Sequence, residues 1–449
     1  MTKDTIVAIS TAIGQGAISI VRLSGPESIK IVNKVFTKKD LTKVKSHTVH
    51  YGHIKYNNKT IDEVLVTVFR GPKSFTTEDI VEINCHGGVY VANKILEIIL
   101  IEGARAANPG EFTERAFLNG RIDLTQAEAV MDIIEAKSDL SLHLANKGLD
   151  GVIYRLINDL RSELLETIAN IEVNIDYPEY DDVIELSNNI IKPRIEILIN
   201  KINQILEKAS FGKVIKDGVK TAIIGRPNVG KSSLLNALLR EERAIVTEIQ
   251  GTTRDTIEGN INIGGIILNL IDTAGIRDSV DVVEKIGIDK AKSTINEAEL
   301  ILFVLDNAQE LTKEDIELLK LTESKKRIVI INKKDLTTRL NHNLENTVSI
   351  SALNQTGIED LEEMIRKLFL TGEINITDQT YISNARHIAK LNQALESLKD
   401  SIIAINDEMP IDMAEIDLKN AWMVLGEIIG DTSTTSLLDE LFSKFCLGK

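Results

Sequence analysis

Gly225-Arg226-Pro227-Asn228-Val229-Gly230-Lys231-Ser232-Ser233 is preceded by an apolar run, Thr221 to Ile224, and opens a helix-like segment, Ser233 to Leu239. This is the pattern G-x-x-x-x-G-K-[ST] in its strand–loop–helix setting. Glycines at 225 and 230 let the backbone turn tightly and present N–H groups to phosphate oxygens. Lys231 adds positive charge at the β- and γ-phosphates, and Ser232 offers a hydroxyl to Mg²⁺. The competing reading is a glycine turn before an ordinary helix.

Three further segments follow in order. Gly251-Thr252-Thr253 is polar, and Thr253 suits the Mg²⁺ shell. Asp272-Thr273-Ala274-Gly275 ends an apolar strand, with Asp272 suited to the metal's outer shell and the Gly275 N–H to the γ-phosphate. Asn332-Lys333-Lys334-Asp335 ends another strand, Arg327 to Ile331. A carboxylate there accepts from guanine N1–H and the 2-amino group, which adenine cannot supply. Ser351-Ala352-Leu353 then offers a backbone N–H to guanine O6. Four ordered motifs predict a Ras-like GTPase domain. Ile276 stands where Ras-like enzymes carry a water-orienting glutamine. Glu284 is the nearest carboxylate for that task, Arg254 and Arg277 are candidate arginine fingers, and Asn228 could ligate a monovalent cation in their place.

The 449 residues are enough for about three domains, with 43% hydrophobic residues and a mean hydropathy of -0.01. No apolar run reaches the length of a membrane span. Two cysteines, Cys85 and Cys446, point to a reducing, cytoplasmic setting rather than a disulfide framework. A net charge of -15 and 4% aromatics exclude a generic nucleic-acid binder, so any RNA contact is local.

Residues 1–118 read as α/β, with Arg22 in a strand, Glu82 beside Ile83, and His86-Gly87-Gly88 after it. Arg22 and Glu82 read either as pocket residues or as a structural ion pair. From Leu124 the pattern is helical. Thr125 and Glu128 predict a capping box, and Leu149 to Ile171 predict one long helix. An acidic stretch around Pro178 follows, then a helix at about 190–209. After residue 370 helical periodicity returns at Ile388 to Leu398 and Met413 to Ile429. Helices on both sides of a GTPase domain predict its insertion into a single bundle. The expected domains are 1–118 (α/β), 119–213 (helical, first part), 214–373 (GTPase) and 374–449 (helical, second part).

TAIGQGAISIVRLSG, CHGG, NPGEFTERAFLNGRIDLTQAEAV, IDYPE, the GTPase motifs, NARH and the terminal FCLGK together resemble the MnmE (TrmE) family of tRNA modification GTPases, in order and over essentially the full chain. The resemblance implies an N-terminal domain that binds 5-formyltetrahydrofolate or another tetrahydrofolate derivative and forms a homodimer. It implies action with the FAD-containing flavoprotein MnmG (GidA), in a heterotetramer-like complex, on C5 of the wobble uridine of certain tRNAs. It further implies GTP hydrolysis activated by K⁺ and no membrane association.

Matched motif by motif, it implies folate contacts at Arg22, Glu82, Arg121 and Lys449, and a tRNA-modification role for Cys446. K⁺ falls to Asn228, Thr247, Ile249 and Thr252, Mg²⁺ to Ser232 and Thr253, and catalysis to Glu284. The implied GTP contacts are Asn228, Val229, Gly230, Lys231, Ser232 and Ser233; Thr247, Glu248, Ile249, Gln250, Gly251, Thr252 and Thr253; Asp272, Thr273, Ala274 and Gly275; and Asn332, Lys333, Asp335, Ser351 and Ala352. Two other readings are a GTPase switch in ribosome assembly without modifying chemistry, and a folate-dependent transferase with a vestigial GTPase.

Overall fold

In the computed structural model, which describes residues 4–176, 187–240, 259–271, 293–341, 344–369, 382–432 and 434–448, two compact units emerge. The first comprises residues up to 131, 148–165 and those from 422 on. Short apolar alternations here give strands β1 (Ile6–Ile9), β2 (Ile18–Ser24), β3 (Thr48–Tyr56), β4 (Lys59–Phe69), β5 (Ile80–His86) and β6 (Arg105–Ala106). They form one sheet in the order β3-β4-β5-β2-β1-β6, antiparallel except for β1 with β6. Helices Ser28–Val35 and Val89–Ile101 pack on it through Ile31, Val32, Ile95 and Ile98, against Val21, Leu23, Val66 and Ile83. The β2–β5 register sets Arg22 directly opposite Glu82. Strand β3 escaped the periodicity because His, Tyr and Gly interrupt its apolar positions.

One sequence expectation fails in this unit. Asp123, not Thr125, caps helix Leu124–Glu135: its Oδ1 accepts from the Thr125 and Gln126 N–H groups, while Gln126 Oε1 accepts from the Asp123 N–H. A carboxylate at a helix N-terminus is a stronger acceptor than a hydroxyl. Thr125 and Glu128 are instead buried within the helix. The long helix expected over Leu149 to Ile171 is present as Val152–Asp176; Leu149 instead closes the preceding helix, Asp139–Leu149, and Gly151, with φ 73°, stands between the two.

A charge network pins helix Glu111–Leu118 to the segments entering β1 and β5 and to β6. Buried Arg115 reaches Asp4 at 2.8 Å, Glu111 at 3.0 Å and Glu78 at 3.1 Å, and Arg105 reaches Glu111 at 2.6 Å. Burial pushes the Glu111 carboxyl up, but hydrogen bonds from Arg105, the Asn108 N–H and Arg115 outweigh it and hold its pKa below the ordinary value. A carboxylate with a depressed folded pKa contributes stability above its unfolded pKa of about 4.3, lost as pH falls toward the folded value. Glu111→Gln is therefore expected to cost about 2–3 kcal/mol at pH 7 and to lose less on acidification below pH ~4.3 than the parent does. Urea unfolding at pH 7 and pH 4 checks this; parallel losses in both proteins would contradict it.

The second unit, residues 132–147 and 166–421, holds the other sheet. Its strands are β7 (Val219–Ile224), β8 (Asn260–Ile263), β9 (Ile266–Leu270), β10 (Leu300–Asp306), β11 (Lys326–Asn332) and β12 (Thr347–Ser349). Their order is β12-β11-β10-β7-β9-β8, parallel except for β8 with β9. β10, with sequence LILFVLD, is buried at every position, as a central parallel strand covered on both faces requires. Helix Ile358–Phe369 supplies part of that cover through Ile358, Leu361 and Ile365, spaced on one face. The helix before the sheet, Lys192–Asp217, meets the chain that enters the helix after it, Ala385–Asn406. A Cβ on Gly212 would lie 2.8 Å from Ile382 O. Among the described residues no helix is long and apolar enough to cross a membrane.

Candidate functional site

In a doubly wound parallel sheet, ligands bind beyond the carboxyl ends of the strands. The loop 225–230 leaves β7 there, Asp306 ends β10, Asn332 ends β11, and Ser351 follows β12. Lys231 opens helix Lys231–Arg240, whose first turn carries no acidic residue, as an anion site at a helix N-terminus requires. The Lys231 ammonium donates to the Gly225 and Arg226 carbonyls, both at 2.7 Å, and so holds the loop curved around its own charge. Burial lowers its pKa, while Glu314 acts in the opposite sense. The loop is also braced by Arg226, whose Nε bonds Asp315 Oδ1 at 2.7 Å. Fully buried Asp315 in turn caps helix Lys313–Leu321 reciprocally with Thr312.

The side chain joining the motifs is Asn332, only 2% exposed. Its Nδ2 donates to Val229 O at 3.0 Å, and its Oδ1 accepts from the Ala352 N–H at 3.0 Å. One amide thus ties the phosphate loop to the loop after β12. Lys333, at φ 64°, donates to Asn228 O at 3.0 Å and pairs with Asp306 at 2.7 Å. Asp335 Oδ1 accepts from Ser351 Oγ, which orients the carboxylate. Asn228 itself is exposed at φ 62°, leaving its amide at the surface of the loop. Sequence reasoning missed Arg226, Asp306 and Asp315, whose partners lie far away in the chain. Ser232 and Ser233 lie in the helix's first turn. Thr247, Glu248, Ile249, Gln250, Gly251, Thr252, Thr253, Asp272, Thr273, Ala274, Gly275, Glu284 and Lys449 lie outside the described residues.

A second cluster forms in the first unit. Arg22 bonds Glu82 Oε1 through Nε at 2.9 Å and Nη2 at 2.8 Å, so both bonds fall on one carboxylate oxygen. Arg22 Nη1 also donates to Gly448 O at 3.3 Å, and Ser10 Oγ donates to the same carbonyl at 3.1 Å. The tail is held a second time where the Gly110 N–H donates to Cys446 O at 3.3 Å. Gly110 has φ 70°, and a Cβ there would come within 2.5 Å of Phe442 O, so only glycine permits this approach. Arg22 stands 5.9 Å from the centre of the Phe112 ring, Phe75 packs on the Phe112 cluster, and Arg121 lies over Phe75 at 4.9 Å. Ser10, Phe75, Gly110 and Phe112 carried no signal in the sequence beyond their motif neighbours. Of the two thiols, burial pushes Cys85 up to about 11, whereas Cys446 is exposed.

The family model for the MnmE helical domain matches residues 124–446, and that for the N-terminus of the GTP-binding protein TrmE matches residues 5–121. A protein of Enterococcus faecalis named tRNA modification GTPase MnmE is 53% identical over 100% of this chain and 99% of its own length. One of the same name from Bacillus cytotoxicus is 52% identical over 100% of both chains. Among solved structures, the G domain of the T. maritima FeoB iron transporter is similar to 33% of this chain over 98% of its own, at 27% identity and a TM-score of 0.23.

Proposed function

The chain belongs to the MnmE (TrmE) family of tRNA modification GTPases, and from that membership we propose that it is a K⁺-activated GTPase which, with a flavoprotein partner, modifies C5 of the wobble uridine of certain tRNAs using a folate one-carbon unit. The observation that carries the modifying half of this reading is the tail: Gly448 O is held by Ser10 and Arg22 beside Glu82, with Cys446 close by in the chain. A GTPase switch in ribosome assembly would leave that arrangement without a purpose. The domains we assign are 1–118, 119–213, 214–373 and 374–449. We place the protein in the cytoplasm as a homodimer that pairs with the flavoprotein MnmG (GidA).

The residues suit their proposed ligands. A polyphosphate lying in the loop 225–230 meets backbone N–H groups, the helix N-terminus and the Lys231 ammonium. Its negative charge opposes the desolvation that depresses the lysine pKa. Ser232, and Thr253 with it, would hold Mg²⁺, which offsets charge on the β- and γ-phosphate oxygens. Asp335 accepts from the guanine edge. Asn228, with Thr247, Ile249 and Thr252, would hold K⁺ where it offsets charge developing in transfer. Glu284 positions the attacking water, a task Ile276 cannot perform. In the first unit, the second oxygen of Glu82 accepts from a heterocycle's N–H edge. Arg22 and Arg121, each over an aromatic ring, suit a flat, carboxylate-bearing ligand of the folate type. Folate supplies the one-carbon unit. The flavin belongs to the partner.

GTP turnover in K⁺ and in Na⁺ at matched ionic strength tests the cation. Asn228→Gly removes the amide yet tolerates the observed φ of 62°. We expect it to lose most of the K⁺ stimulation, on the order of tenfold or more, whereas Glu284→Ala is slow in both salts, by roughly 10²-fold or more. Equal rates for the parent in the two salts would remove K⁺ from the mechanism.

A further inference from the structure

Beside the Arg22 cluster an open groove of about 530 Å³ is bounded by residues 72–77, the turn 119–121 and the edge-on pair of His47 and Phe69. That volume falls among small-molecule pockets, about 300–1,000 Å³. Its described lining includes three basic side chains, His47, Lys73 and Arg121, and no carboxylate. Such a balance is unusual on a chain of net charge -15. The groove is built rather than incidental. Asn119 Nδ2 donates to Thr76 O at 2.7 Å, the Gly71 N–H donates to Asp79 at 2.9 Å, and Ser74 N–H donates to Pro72 O at 3.0 Å. Arg121 lies over the Phe75 ring and gives one nitrogen to Phe75 O at 2.7 Å. Its remaining donors, and the Lys73 ammonium, meet no carboxylate in the described lining. Phe75 is the shared wall: one side belongs to the groove, and it packs on the cluster of Phe112, the ring that carries Arg22.

We propose that this groove takes the anionic γ-glutamyl tail of a folate whose ring system lies at Arg22 and Glu82, and that His47 and Lys73 select folates carrying more than one glutamate. The inference rests on the folate reading above. Each added glutamate brings one carboxylate, and a cationic groove without acids rewards each with charge-assisted hydrogen bonds. An RNA phosphate offers similar chemistry. A groove of this size, continuous through Phe75 with the Arg22 cluster, matches a short tail extending from that site better than a polymer.

Calorimetric titration of the full-length protein with mono- and triglutamyl 5-formyltetrahydrofolate, and separately with tRNA, tests it. The triglutamate is expected to bind on the order of tenfold tighter, with the advantage shrinking as salt rises. Lys73→Glu, on an exposed side chain, removes that advantage while monoglutamate affinity stays within about twofold. His47→Asn, able to keep the observed φ of 60°, removes part of it. Equal affinity of the parent for both folates overturns the proposal and leaves the folate reading standing. No binding of either folate overturns both. A Lys73→Glu variant that loses tRNA affinity but keeps the triglutamate preference assigns the groove to RNA and overturns the proposal as well.

Discussion

Asp335→Asn is expected to lower kcat/KM for GTP by about 10⁴-fold and to turn the enzyme toward XTP. Guanine presents two donors, N1–H and the 2-amino group, and a carboxylate meets both as an acceptor. Asparagine replaces one acceptor with an NH₂ donor, which then faces the 2-amino group. Xanthine carries a carbonyl at that position and matches the asparagine edge. The swap is well defined here because Ser351 Oγ holds one Asp335 oxygen, so the group is oriented before any base arrives. Steady-state turnover with GTP and XTP, for parent and variant, reads the effect. Rescue by XTP separates a specificity change from general damage. GTP turnover within tenfold of the parent would remove Asp335 from base recognition.

The next largest effect is expected from Gly230→Ala. Gly230 has φ 100°, and a Cβ there would lie 2.1 Å from Asn332 Nδ2. Asn332 has no room to withdraw, being buried and bonded at one end to Val229 O and at the other to the Ala352 N–H. One methyl group therefore strains the phosphate loop and dislodges the strut to the base loop together. Backbone strain of about 1–3 kcal/mol, with loss of two buried hydrogen bonds at about 1 kcal/mol each, predicts GTP affinity down by at least roughly 10²-fold and by up to several thousand-fold. The first unit has its own core, so far-ultraviolet circular dichroism should change little. Fluorescent GTP-analogue titration checks the affinity. Binding within threefold of the parent would show that the loop does not depend on the strut.

What was legible in the sequence follows from how locally each feature is encoded. The phosphate loop depends on two glycines, a lysine and a serine within nine residues, between a strand and a helix, so its geometry is written in adjacent residues. Asp335, proposed to read guanine, lies just beyond the end of apolar strand β11, and a parallel strand's carboxyl end is where ligands bind. Arg22 and Glu82 were visible as charges in strands, but whether they meet depended on pairing across 60 residues. Register decided it, since a shift of one residue would have put the two on opposite faces. The cap at Asp123 went to the stronger acceptor two residues earlier than the T-x-x-E pattern indicated. Asn332 was legible as part of a motif, yet its role as strut required Val229, 103 residues away.

By itself, then, the sequence determined a GTPase of this family, its guanine specificity and the absence of a glutamine after the DTAG motif. Only the tertiary structure decided that Asn332 links two loops and that Arg226 leans on a buried helix cap. It alone brought Gly448 onto Ser10 and Arg22, and arranged Lys73, Arg121 and His47 around a groove whose described lining holds no acid. The physical reason is range. Backbone turns and caps are fixed by neighbours within a few residues, whereas ion pairs, docked tails and groove linings depend on strand order and packing that bring distant residues together.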